Sequence, residues 1–233
     1  MFQDKKERNA MNNKRLIITG LLILIIAIFG KLIFSCLKNI KIDDFHKAAI
    51  IFVIDSSASN QKMLPEEIKF AKSLCSILDP EDEIKILKVS EESYLIYEGS
   101  PSDSKGITKA VEAFTKYNPN DYGTAYGIGL KKAFEHCLTM KKEGFVPAVV
   151  VIGDLENEGA VQKQIDWNNL PANVNSIKEY IPEISMMFVY ASPEKLDLVK
   201  TKLNPVLGEK KLIIANETNA DKAKRRFLEA IGR

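Results

Sequence analysis

The residues with the clearest chemical potential are Asp55, Ser57 and Ser59, in the run Asp55-Ser56-Ser57-Ala58-Ser59. They follow the apolar stretch Ala48-Ala49-Ile50-Ile51-Phe52-Val53-Ile54. In an extended chain, side chains at i, i+2 and i+4 point to one side. This spacing therefore gathers one carboxylate and two hydroxyls, provided the chain stays extended past Asp55. Three hard oxygen donors suit a small hard cation such as Mg²⁺. Ser and Asp also crowd turns and helix N-caps, so the same five residues read as the punctuation between a strand and a helix.

Two further segments bear on that choice. Residues 121–130, Asp-Tyr-Gly-Thr-Ala-Tyr-Gly-Ile-Gly-Leu, form a turn running into a helix. Residues 147–154, Pro-Ala-Val-Val-Val-Ile-Gly-Asp, form a second buried strand ending on a carboxylate. The order D-x-S-x-S, G-T-x-x-G-x-x-L, then apolar strand-Asp resembles a von Willebrand factor A domain with its metal-ion-dependent adhesion site, over residues 46–233. The resemblance implies the metal ligands Asp55, Ser57, Ser59, Thr124 and Asp154. It implies Mg²⁺ as the ion, with Mn²⁺ or Ca²⁺ as alternatives, and a protein partner whose Asp or Glu completes the coordination. One position departs from the family pattern: where Gly usually follows the last Asp, this chain has Leu155. Tyr122, Tyr126 and Asn157 flank the expected metal face and are candidates either for touching a partner or for packing the loops.

The elements that must position these residues alternate in type. Strands are expected at 48–55, 83–89, 94–98, 147–153, 186–190 and 211–215. Helices are expected at 64–78, 107–117, 125–143, 175–181, 193–207 and 219–231. Such alternation predicts an α/β fold: a doubly wound, mostly parallel six-stranded sheet with helices on both faces. The short turn 90–93 makes 94–98 an antiparallel edge strand. The stretch 155–174, with Trp167 and Pro171, fits no regular element. In an open sheet of order 3-2-1-4-5-6, ligands bind beyond the carboxyl ends of the strands, where the order reverses. That crevice lies between the first and fourth strands, which end at Asp55 and Asp154, and Thr124 precedes the helix feeding the fourth. The site is thereby supported independently of the resemblance.

Composition bounds the rest. Of 233 residues, 45% are hydrophobic and the net charge is +2. Residues 1–38 carry seven of the 33 basic and two of the 31 acidic side chains, so the remainder is slightly acidic. No basic stripe interleaved with aromatics occurs, which argues against nucleic-acid binding. Residues 1–15 read as a basic head, 16–37 as a transmembrane helix or signal anchor interrupted by Lys31, 38–46 as a linker and 47–233 as the folded domain. Lys5, Lys6, Arg8, Lys14 and Arg15 before the apolar segment favour a cytoplasmic N-terminus with the domain on the far side. The alternatives are a cleaved signal peptide and lipidation at Cys36. Cys36, Cys75 and Cys137 are too few and too scattered for a disulfide framework; the latter two read as core residues.

The donors offer oxygen only, which suits Mg²⁺ and disfavours Zn²⁺; the chain's two histidines are His46 and His136. Asp154-Leu155-Glu156-Asn157-Glu158-Gly159 brushes the EF-hand pattern but has Ile165 where a bidentate Glu is needed. No phosphate-binding loop or nucleophile elbow occurs. The leading expectation is a membrane-anchored binding or assembly module, with a cell-adhesion type of contact. A second is a domain whose metal only orders the loops. A third is a metal-dependent hydrolase, for which Asp121, Glu156 and Glu158 are the nearby bases. Asn216-Glu217-Thr218 is a sequon that matters only in a glycosylating pathway.

Overall fold

A computed structural model describes residues 46–112, 123–156 and 158–233. The basic head, the apolar segment 16–37, Cys36, Asp121, Tyr122, Asn157 and the end of the helix expected at 107–117 lie outside the described residues. Among those described, no helix is long and apolar enough to cross a membrane. Residues His46–Arg233 form one compact unit.

The strands are β1 (Ala48–Asp55), β2 (Glu83–Val89), β3 (Ser93–Gly99), β4 (Val146–Ile152), β5 (Ser185–Val189) and β6 (Leu212–Ala215). The helices are α1 (Leu64–Cys75), α2 (Ser104–Glu112), α3 (Tyr126–Lys142), α4 (Leu170–Tyr180), α5 (Pro193–Leu207) and α6 (Ala220–Ala230). The sheet order is β3-β2-β1-β4-β5-β6, parallel except for the antiparallel β2–β3 pair. This is the expected architecture, including the reversal between β1 and β4. Register brings Ile54 opposite Ile152 and Asp55 opposite Val89. Asp55 and the Gly153-Asp154 that follows β4 thus emerge from adjacent strands at the same edge.

Every residue of β1 is buried, because a central parallel strand is covered on both faces. Ala49, Ile51 and Val53 belong to the cluster with Leu130, Ala133, Cys137 and Met140 of α3. Ile50, Phe52 and Ile54 belong to the other, with Phe70, Leu74 and Phe227. Each such large side chain contributes about 1.5–3 kcal/mol on burial. α3 sits close on the sheet because of Gly129, where a Cβ would lie 2.7 Å from Val89 Cγ2 and 3.0 Å from Val53 Cγ1. At the amino end of β1, Asp82 is buried and accepts from Ala48 N at 2.7 Å and Asp79 N at 2.9 Å, and it pairs with Arg233.

One expectation fails in part. The stretch 155–174 contains a 3-10 turn at Val161–Lys163 and the first residues of α4, which starts at Leu170 rather than 175. Pro171 looks like a breaker, but it occupies the first turn of α4, where the missing N–H has no partner to lose. Asp166 Oδ1 accepts from Asn168 N and Asn169 N just ahead of it.

Candidate metal centre

The β1 carboxyl end does not stay extended. Asp55 Oδ1 accepts from Ser57 N at 2.8 Å, and Ala58 already has helical angles (φ −63, ψ −35) before the 3-10 turn Ser59–Lys62. The alternating-side argument therefore holds only as far as Ser57, and the turn completes the convergence. Ser57 Oγ and Ser59 Oγ lie 3.1 Å apart. The segment is pinned from outside: Ser56 N donates to Val89 O at 2.8 Å, and Gln61 Nε2 donates to Ser56 O and Ser57 O, each at 3.2 Å. Asp55 and Ser57 are fully buried, whereas Ser59 is exposed.

Thr124 lies on the loop before α3 and is tied to the loop that follows Asp154. Its N donates to Glu158 O at 3.2 Å, and Ala125 N donates to Ser90 O at 2.6 Å. Thr124 is 1% exposed, and its Oγ1 has no hydrogen-bond partner. A buried hydroxyl left unmatched costs about 1–3 kcal/mol. A cleft of about 180 Å³ opens beside it, lined by Gly123, Thr124, Glu158, Gly159 and Lys163 among others.

Tyr126 ties the loops together. Its hydroxyl donates to Asp55 Oδ2 at 3.0 Å and accepts from Leu155 N at 3.3 Å. Tyr126 is fully buried, so of the two roles open to it, touching a partner and packing the loops, only the second remains. The approach of its hydroxyl also explains Gly153 (φ +141): a Cβ there would lie 2.1 Å from Tyr126 Oη and 2.6 Å from Asp55 Cβ.

Asp154 is half-buried, and its Oδ1 accepts from Glu156 N at 2.8 Å. Leu155, standing where the resembled family has Gly, adopts the left-handed φ of 62 that a glycine would favour. Such a conformation costs a non-Gly residue about 1–3 kcal/mol. Its side chain is only 1% exposed, inside the α3-side core. Apolar burial of comparable size offsets the strain, so the glycine-like backbone survives without the glycine.

The electrostatics are those of acids crowded away from water. Burial, with a contribution from Asp154, pushes the Asp55 carboxyl up to about 7 against the Ser57 and Tyr126 hydrogen bonds that lower it. Asp154 is likewise raised by burial, against the Glu156 main-chain hydrogen bond that lowers it, with the Glu156 charge adding to the rise and Lys195 opposing. A third carboxyl was not anticipated from sequence. Glu67 of α1 is fully buried; its Oε2 accepts from Asn60 Nδ2 at 2.7 Å, and Asn60 Nδ2 also reaches Asp55 O at 3.3 Å. Burial first, then Asp55 and Asp154, push Glu67 up to about 8. The sequence signal was an acid on the inward stripe of an amphipathic helix, hidden among the acids of Pro65-Glu66-Glu67 that the helix dipole already accounts for.

Among the described residues, no three His, Cys, Asp or Glu side chains gather around one point. The donors brought to this edge are two carboxylates and three hydroxyls. An unmatched buried hydroxyl and acids raised by burial, with a smaller contribution from one another, fit a hard divalent cation. Of the candidate bases, Glu156 pairs with Lys195 at 3.1 Å and Glu158 accepts from Ser59 Oγ at 3.1 Å.

No family model and no curated protein matches the chain. Solved structures do. The manganese-loaded TRAP protein of Plasmodium vivax superposes with a TM-score of 0.57 at 11% identity, covering 80% of this chain and 74% of that one. A von Willebrand factor type A structure from Catenulispora acidiphila gives 0.53 at 14% identity, covering 80% and 43%. Proximal thread matrix protein 1 of the mussel byssus, with a zinc-occupied MIDAS motif, gives 0.53 at 14% identity, covering 79% and 48%. The chain therefore spans less than half the length of the last two. Likeness at these identities carries architecture rather than activity, and what it establishes is that this chain has the von Willebrand factor A fold.

Proposed function

We propose that this protein is a binding or assembly module that holds a divalent cation, Mg²⁺ by the hardness of its donors, and through it grips a carboxylate of a protein partner. Asp55, Ser57, Ser59, Thr124 and Asp154 would hold the ion. The ion would supply a Lewis-acidic position open to an incoming Asp or Glu. The observation that carries this reading is Thr124 Oγ1, a fully buried hydroxyl without a partner at the edge where Asp55 and Asp154 emerge. The rest of the chain holds these donors ready: Tyr126 orients Asp55, and Gln61 and Ser56 fix the Ser57 loop.

The chain is proposed to work at a membrane, anchored by residues 16–37 with residues 47–233 beyond the cytoplasmic face. The uncharged run 16–30 and the five basic residues ahead of it support this. A non-enzymatic role is favoured because Glu156 is engaged by Lys195 and Glu158 by Ser59.

The test is calorimetry and thermal melting of the full chain in detergent with Mg²⁺ or Mn²⁺, wild type beside Asp55→Ala. Saturable binding that the variant loses supports the site and licenses partner capture with and without EDTA. No binding at millimolar metal rejects the reading. Metal-dependent melting together with partner binding that EDTA leaves unchanged would reduce the ion to a structural role.

A further inference from the structure

Glu158 belongs to none of the metal-bearing segments, yet it touches two of them. Its Oε2 accepts from Ser59 Oγ at 3.1 Å, across 99 positions of sequence. Its own carbonyl accepts from Thr124 N at 3.2 Å. Its neighbour Gly159 packs on Gly123, where a Cβ would stand 3.6 Å from Gly159 Cα. The loop thus rests on the Gly-Thr turn while its acid reaches the Ser-x-Ser turn. No cation neutralises Glu158 among the described residues, whereas Glu156 two residues earlier meets Lys195.

The direction of the hydroxyl bonds follows. A hydroxyl has one proton to donate. The Ser59 proton goes to Glu158, a carboxylate that only accepts, so Ser57 must be the donor across the 3.1 Å Ser57–Ser59 contact. Both protons then point along one chain toward Glu158. Oxygen lone pairs on Ser57 and Ser59 are left for other use, and the Thr124 main chain is held with its Oγ1 unmatched. Glu158 cannot itself join Asp55 and Asp154 around one ion in this arrangement, since no three acids gather there. Outer carboxylates that accept from a ligand's proton orient the ligand and raise its basicity.

We propose that Glu158 is the positioning residue of the metal centre: its carboxylate draws the hydroxyl protons of Ser59 and Ser57 outward, turning their oxygens toward the cation. The inference rests on the proposed metal-binding role. It adds that affinity is set by a residue from outside the three ligand-bearing segments.

The test is Mn²⁺ affinity of the full chain in detergent, read by electron paramagnetic resonance of free Mn²⁺, with melting in EDTA read in parallel. The variants are Glu158→Ala, Glu158→Gln and, as a same-loop charge control, Glu156→Gln. Glu158→Ala should weaken Mn²⁺ binding by about tenfold to a hundredfold, the range for lost outer partners. Glu158→Gln keeps an accepting oxygen and should recover most of that loss. Glu156→Gln removes a charge beside Asp154 but no bond to a ligand hydroxyl, so it should change affinity far less than Glu158→Ala, and all three should melt as wild type in EDTA, because the carbonyl bond to Thr124 survives each change. Unchanged affinity in Glu158→Ala beside wild-type binding that Asp55→Ala abolishes would overturn this inference alone. Equal losses in Glu158→Ala and Glu156→Gln would overturn it in favour of loop charge. A wild type that binds no Mn²⁺ would overturn both this inference and the reading beneath it.

Discussion

The two ends of β1 each carry a buried carboxylate, and they are solved differently. At the amino end Asp82 accepts from two main-chain N–H groups and pairs with Arg233, so its charge is met within the chain. At the carboxyl end Asp55 accepts from Ser57 N and the Tyr126 hydroxyl, with Asp154 and Glu67 near it and, among the described residues, no ion pair of its own. A buried charge is tolerated only if paired. The amino end is therefore finished structure. The carboxyl end leaves its acids without such a partner, which is where the proposed cation would act.

Breaking the paired end should produce the largest loss of stability. Asp82→Ala leaves Arg233 and Ala48 N without their carboxylate and should lower the unfolding free energy by about 3 kcal/mol or more, measured by denaturant titration. Its metal dependence should be intact. Asp55→Ala should do the reverse: a smaller loss in EDTA, but no stabilisation by Mg²⁺, where wild type gains about 2.7 kcal/mol at a hundred times the dissociation constant. If Asp55→Ala proves as damaging in EDTA as Asp82→Ala, the contrast between the two ends collapses.

A smaller effect tests the strained turn at the carboxyl end. Leu155→Gly relieves the left-handed strain but empties a buried site, so it should destabilise by a net of about 1–2 kcal/mol. Stabilisation would mean that the side chain contributes less than its burial implies.

The smallest effect is a slope. Glu67 rises from 4.5 to about 8 on folding, so without metal the folded state holds its proton more tightly than the unfolded one. Stability then falls with rising pH across that window and is flat below it. Asp55 adds to the same sign between its ordinary 3.8 and about 7. Unfolding in EDTA at a series of pH values should show this fall, and Glu67→Gln should flatten its upper part. A wild-type stability that climbs from pH 5 to 8 would contradict the buried-acid account.

Most of the sheet was legible because its signals are local. The runs at 48–54 and 147–152 are apolar throughout, as doubly covered strands must be, and the alternation of strand and helix dictates crossover connections. The start of α4 was not legible, since a proline that opens a helix and one that ends it differ only in what precedes it. The nearness of Ser57 and Ser59 was expected from their spacing, although its cause was not legible: the chain turns at Ala58, and the two hydroxyls meet through that turn.

The sequence by itself determined which strands exist, that two of them end on aspartates, and that hydroxyls flank those ends. These depend on neighbours a few positions apart. Only the tertiary structure decided that Tyr126 is a buried strut rather than a surface contact, that Glu67 stands behind the site, that Leu155 takes a glycine's backbone, and that Glu158 reaches Ser59. Two of these are bonds between segments far apart along the chain, 71 residues for Tyr126 with Asp55 and 99 for Glu158 with Ser59. No local pattern encodes such pairs; they exist because parallel strands deliver distant loops to one edge of the sheet.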